Sequence, residues 1–256
     1  MHKAVKTAAA GMAAAFISLS APQAAEPLVD AKMFPGEFSA NVSLVSEYYF
    51  RGISQTDDAP ALQGGFDWSV PLGKESGVSA YLGVWGSNVD FNEAGGVDGA
   101  TLETDIYGGF SGEFGSTGLG WDVGFIYYAY PGAASSLNYD FLEGQVALSY
   151  DFGFLAATAG VNYSDDYFGK SGEAYYPKLA IDVPVGKYLT LSAHVAKQYI
   201  EKNTVFGQPD YVDWSVGATV NVAGFDLNVT YSDTDISSSR CSDACGMALF
   251  SVSRSF

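Results

Sequence analysis

The chain has 256 residues, with 29 acidic side chains against 12 basic ones, and its formal net charge of −17 excludes nucleic acid, whose phosphates it would repel. Although 48% of the residues are hydrophobic and 15% aromatic, no run beyond the N-terminus reaches the roughly 18 apolar residues of a spanning helix, which excludes a helical membrane bundle. Thirty glycines and a lack of long helix-former runs favour sheet.

Residues 1–25 read as a secretory signal peptide: Lys3 and Lys6 are the positive start, Ala8 to Leu19 is a short apolar run, and Ser20 to Ala25 is rich in small residues. Cleavage near Ala24 or Ala25 leaves 29 acids against 10 bases, a net charge near −19. Residues 26–37 are expected as a periplasmic N-terminal segment and 38–256 as one barrel domain. In the stretch from Glu37 to Val70, Phe38, Ala40, Val42, Leu44, Tyr48 and Phe50 alternate with Ser39, Asn41, Ser43, Glu47, Tyr49 and Arg51. Only Val45 and Ser46 break the pattern. After a turn through Ser54 to Pro60 the chain returns with Leu62, Phe66, Trp68 and Val70 opposite Gln63, Asp67 and Ser69. A polar face carrying Glu, Arg, Gln and Asp at strand centre points to a water-filled interior, with the apolar face outside in lipid.

Period two continues through twelve expected strands, at 38–53, 61–70, 78–89, 101–111, 119–130, 139–150, 154–164, 174–184, 188–199, 211–222, 225–232 and 247–256. Ten residues rising about 3.3 Å each and tilted about 40° cover about 25 Å of bilayer. Connections alternate. Pro71 to Gly77, Gly112 to Gly118, Asp151 to Gly153, Val185 to Gly186 and Ala223 to Gly224 are short and glycine-bearing, whereas the intervening ones are mostly longer and acidic. The expected fold is therefore an all-β, transmembrane, antiparallel up-and-down barrel of about 12 strands, with both termini periplasmic and Phe256 closing the final strand. Aromatic residues at strand ends fit two interfacial girdles: Tyr48, Phe50, Tyr127, Tyr139, Phe141, Tyr163, Tyr175, Tyr199 and Tyr231 at the outer rim, and Trp68, Phe110, Trp121, Tyr150, Phe152, Phe225 and Phe256 at the inner. These girdles disfavour a soluble secreted sandwich or lectin.

The run from Asn41 to Val70 resembles the opening signature of the TorF-like porins of bacterial outer membranes, through Ser46, Tyr48, Phe50, Arg51, Gly52, Ile53, Ser54, Gln55, Pro60, Gln63, Gly64 and Phe66. The terminal Ser251 to Phe256 is similar too, and the resemblance covers essentially the whole chain. It implies a porin-like barrel in the outer membrane and supplies no substrate or site residues. Arg254 departs from the apolar alternation of the final strand, and near the rim it can snorkel.

Alternation places Glu47, Arg51, Asp67, Trp85, Glu103, Asp105, Tyr107, Asp122, Glu143, Lys178, Asp182, His194 and Asp213 in the lumen, with Tyr81, Tyr128 and Asp226. A twelve-stranded bore lies between filled eight-stranded barrels and open sixteen-stranded ones. Its aromatic residues would be either a stacking surface for a small solute or packing that fills the bore. The excess of acids predicts a narrow passive channel for small hydrophilic solutes favouring cations or neutral molecules, with Glu103 and Asp105 projecting toward mid-pore as the main selectivity groups. The rival is a closed barrel with a structural or receptor role through its acidic loops.

No catalytic residues are expected. Ser192 and His194 have the spacing of an outer-membrane phospholipase, but such a nucleophile must face lipid and these share the polar face. No Gly-x-Ser-x-Gly elbow and no His or Cys cluster occurs, so neither a cofactor nor a structural metal is expected. Paired loop acids, Asp57 with Asp58, Asp165 with Asp166 and Asp233 with Asp235, read as solvated loop rather than cation sites, lacking EF-hand spacing. Cys241 and Cys245 predict a local disulfide in an exported chain, with a free dithiol as the alternative. The expected partners are outer-membrane lipid, lipopolysaccharide and small solutes or ions, with the chain as a monomer.

Overall fold

A computed structural model describes residues 35–73, 77–91, 97–237, 241 and 245–256. The expected signal peptide and most of the expected N-terminal segment lie outside the described residues. The strands are β1 (Glu37–Val45), β2 (Tyr49–Phe50), β3 (Ile53–Ser54), β4 (Ala61–Pro71), β5 (Val78–Asn88), β6 (Leu102–Glu113), β7 (Leu119–Ala129), β8 (Phe141–Asp151), β9 (Ala156–Ser164), β10 (Ala174–Val185), β11 (Leu189–Ile200), β12 (Tyr211–Val222), β13 (Phe225–Thr234) and β14 (Met247–Ser255). Among the described residues, two 3-10 turns, at Ser135–Leu137 and Phe168–Lys170, and a helical turn α1 (Asn203–Phe206) sit in the connections.

Twelve strands form a closed antiparallel barrel, and β2 and β3 stand apart as a two-stranded hairpin. Each barrel strand pairs with its neighbour in sequence, and β1 closes the ring against β14, with Val42 opposite Arg254 and Val45 opposite Ser251. Closure removes the free edge that an open sheet would present, so no backbone group on the wall need face hydrocarbon. The outer face is apolar along its height: Leu44, Leu62, Phe66, Leu82, Phe110, Val146 and Phe250 are all exposed, Phe66 by 66%. A soluble sheet would cover such a surface. On the inner face, Ser43, Gln63, Ser87, Glu143, Asn162, Gln198 and Thr219 are buried.

Large side chains cross the lumen where glycines make room. Tyr107 lies over Gly83, its partner in the β5–β6 ladder, so closely that a Cβ at Gly83 would overlap the phenol ring. This small-against-large fit narrows the bore and depends on the absence of a side chain at Gly83.

The expected first strand, 38–53, is the principal correction. The ladder of β1 ends at Val45, and the chain turns into the barrel instead of continuing along the wall. Phe50 pairs with Ile53 across a two-residue turn in which Arg51 has φ 50° and Gly52 φ 78°. Positive φ at both positions is the type I′ hairpin, whose twist matches that of the flanking strands. Glycine is required at position 52 for a second reason, because a Cβ there would strike Thr234 of β13. Glu47 and Arg51 thus reach the interior from an inserted hairpin, not from the wall. Tyr48 and Phe50 likewise leave the expected outer girdle, Tyr48 with only 2% exposure, and Phe141 is buried inside with them. Tyr127, Tyr163, Tyr175, Tyr199 and Tyr231 remain exposed on the outer face.

Candidate functional site: the lumen beneath the inserted hairpin

The hairpin is held at its base and at its tip. At the base, Ser46 exchanges hydrogen bonds with Phe250 of β14, its backbone N–H donating to the carbonyl and its Oγ accepting from the Phe250 N–H. The Thr56 hydroxyl accepts from the Tyr48 N–H at 3.1 Å, and the Glu47 carboxylate accepts from the Asp58 N–H. At the tip, the Arg51 guanidinium joins two strands of the wall that are three places apart in the ring. Nη2 donates to Glu143 Oε2 of β8 at 2.6 Å and Nη1 donates to Gln198 Oε1 of β11 at 2.6 Å. Its Cζ also sits 4.0 Å above the Tyr176 ring, 4.8 Å from Phe50 and 5.6 Å from Tyr167. The rigid planar fork suits this double grip, which a lysine could not reproduce.

Glu143 gathers further donors, Asn162 Nδ2 at 2.9 Å and the Tyr128 hydroxyl at 3.4 Å. Around this centre lie three more carboxylates. The hydroxyl of Tyr48 donates to Glu103 Oε1 at 3.0 Å. Asp105, two residues on and fully buried, has no hydrogen-bond partner at either oxygen, and Glu103 Oε2 has none either. Across the lumen Asp213 accepts from the Tyr176 hydroxyl at 2.9 Å and lies 3.5 Å from His194 Nδ1.

Nearer the end that carries the termini, a second polar layer follows. The Tyr107 hydroxyl donates to Asp67, and the Tyr81 hydroxyl donates to Asp122 at 3.1 Å. Gln145 Nε2 donates to the same Asp122 oxygen at 3.0 Å. Lys178 and Asp182, both half-buried, line the inner face of β10. Of the expected lumen residues, Glu47, Trp85, Glu103, Asp105, Tyr107, Glu143, His194 and Asp213 are buried, with Trp85 against Tyr48 at 5.6 Å between ring centroids. Glu103 and Asp105 are not at mid-pore: they are the second and fourth residues of β6, at its long-loop end, under the hairpin.

Alternation alone missed the aromatic residues of the long-loop end. Phe91, Tyr130, Tyr139, Phe168 and Phe206 come from four connections and converge over Phe50, leaving a cavity of about 310 Å³. Tyr139 and Phe168 stack with centroids 4.4 Å apart. A partial signal existed in the sequence, since most of these rings fall just beyond a strand end, where a lipid girdle would also place them. The two outcomes differ only in which way the loop folds.

Cys241 and Cys245 are joined by a disulfide, with Cα atoms 5.7 Å apart, and Cys241 packs with Tyr211 and Ile236. Among the described residues no group of three or more His, Cys, Asp or Glu side chains is arranged to hold a metal ion. No helix among them is long and apolar enough to cross a membrane.

Comparison with known proteins agrees with this architecture. A family model described as "Bacterial protein of unknown function (Gcw_chp)" matches residues 30–256. Among solved structures, the COG4313 outer membrane channel from Pseudomonas putida F1 is similar with a TM-score of 0.51 at 10% identity, over 87% of this chain and 96% of that one. The KdgM porin gives a TM-score of 0.51 at 10% identity over 85% and 98% of the two chains. The NanC porin gives 0.51 at 8% identity over 84% and 97%. Identities this low carry the fold alone. Among curated proteins, none matches the chain.

Proposed function

We propose, from the premise that the chain belongs to the Gcw_chp family of bacterial proteins, that it is a narrow passive outer-membrane channel for small hydrophilic solutes that favours cations or neutral molecules over anions. The observation that carries this reading is the contrast between an apolar outer wall and a lumen whose buried carboxylates, Asp105 and Glu103, keep three oxygens without donors. Lumen carboxylates, where ionised, attract a passing cation through a medium of low dielectric, where a unit pair about 4 Å apart is worth roughly 4 kcal/mol at an effective constant of 20. The fold shared with outer-membrane channels and the resemblance of Asn41 to Val70 to TorF-like porins both support it. So do the short turns on the terminus side, which fit a periplasmic placement of both ends, with a monomeric wall contacting lipid and lipopolysaccharide. His194, facing the lumen beside Asp213, is read as part of the polar lining and not as a catalytic base.

One observation favours the second reading, a barrel closed at rest: the Arg51 bridge ties the inserted hairpin to β8 and β11. Flux separates the two. Proteoliposomes containing the full mature chain should leak small neutral and cationic solutes faster than anions of equal size. No flux above protein-free liposomes for any of the three contradicts the channel and leaves the closed barrel standing.

A further inference from the structure

The cavity above the hairpin has walls of a specific chemistry. Its 310 Å³ falls at the small end of ligand pockets, which run from about 300 to 1,000 Å³, so it suits a molecule of modest size. The lining is aromatic, with Phe91, Tyr130, Tyr139, Phe168, Phe206 and Phe50 as the principal rings, and it includes no Lys or Arg side chain. Rings held at fixed mutual angles, such as Phe91 at 88° to Tyr139 and 87° to Phe168, present both faces and edges to the enclosed space. An apolar lining alone would accept any small apolar solute. Charge decides.

Three observations point to a positive guest. The hydroxyl of Tyr48, which packs in one cluster with the wall residue Tyr130, donates to Glu103, whose second oxygen and both oxygens of Asp105 have no donor. Both carboxylates stand at the start of β6, the strand that follows the connection carrying Phe91. On the outer side, Asp90 and Asp98 line an adjoining cavity that shares Phe91 with this one. The third observation is internal. The chain's own guanidinium, that of Arg51, already rests among aromatic rings just below the cavity floor, 4.8 Å from the Phe50 centroid and 4.0 Å from that of Tyr176. Its charge is matched by Glu143, so it does not cancel the field of Glu103 and Asp105. No charged side chain lines the cavity, so an anionic guest would find no cation on its walls.

We propose that this vestibule binds a small organic cation, an ammonium group carrying alkyl substituents, held by cation–π contact with Phe91, Tyr139 and Phe168 and by the field of Glu103 and Asp105. An alkylated ammonium fits better than a metal ion because its hydration is weak and its surface apolar, so aromatic faces can replace its water. The inference deepens the channel reading by naming a class of solute, and binding can be measured whether or not the barrel conducts.

The probes are choline and its uncharged isostere, 3,3-dimethyl-1-butanol, titrated calorimetrically into the full mature chain folded in detergent, with glucose as a third ligand. Choline should bind about tenfold or more tightly than the isostere, as a desolvated cation–π contact permits. Phe168→Leu, which removes the ring but keeps an apolar wall, should weaken choline severalfold and leave the isostere unchanged. Glu103→Gln should do the same through the field. Folding of each variant is checked by its heat-dependent shift on a detergent gel. Equal affinity for choline and the isostere, tighter binding of glucose, or failure of choline to bind would each overturn the proposal. Choline binding in a protein that passes no solutes would retain the site and sink the channel, whereas flux without binding would do the reverse.

Discussion

The Arg51 side chain is where the charge balance of the lumen is settled, because its guanidinium is nearly fully buried and shares its proton donors between Glu143 and Gln198. Removing one member of a buried ion pair strands the other charge, and such losses run to about 3–5 kcal/mol. Arg51→Met should therefore lower stability by that order, read from denaturant unfolding in detergent. A second change, Glu143→Leu, should recover much of the loss, because an apolar pair of similar volume avoids the desolvation of both ions. If the double variant were no more stable than the single one, the bridge would not be what holds this part of the lumen. Selectivity belongs to different residues. Glu103→Gln with Asp105→Asn removes the carboxylates that lack donors while keeping their shape, and should move the reversal potential toward zero. An unchanged potential would acquit both residues.

At the scale of elements, the inserted hairpin is the feature that period-two reading passed over. The sequence does break its alternation at Val45 and Ser46, and the ladder ends there. What alternation cannot show is that Arg51 and Gly52 take positive φ, since a strand continuing along the wall and a hairpin turning inward place the same polar residues toward the lumen. Glu47 and Arg51 were therefore legible as interior residues but not as residues of a plug. The aromatic rings of the long-loop end were obscured in the same way, because loops over a pore and girdles in lipid draw on the same residue types. Replacing residues 47–58 by a short glycine-containing turn should raise single-channel conductance severalfold, since the lumen is then bounded by wall side chains alone; equal conductance would show that the hairpin does not obstruct the path. In the last long connection, Cys241 and Cys245 should resist alkylation in unreduced protein, and labelling of both thiols by mass spectrometry would contradict the disulfide.

For the molecule as a whole, strand number, antiparallel order and the apolar exterior were readable directly, because a closed barrel imposes one constraint on every strand: apolar outside, polar inside. Eleven of the twelve expected strands coincide with β4 to β14 to within a few residues, and the twelfth is β1 cut short. Closure also predicts behaviour. With β1 sealed against β14 there is no edge from which unfolding can begin cheaply, so the folded protein should resist detergent at room temperature and shift in gel mobility only after boiling. The measurement closest to the central claim is the reversal potential of the wild-type protein in a planar bilayer across a potassium chloride gradient. A channel lined by Glu103, Asp105 and Asp213 should give a potential of the sign set by potassium permeating faster than chloride, with a preference that declines as salt screens the lumen. A potential of the opposite sign, or no conductance at all, would contradict the account.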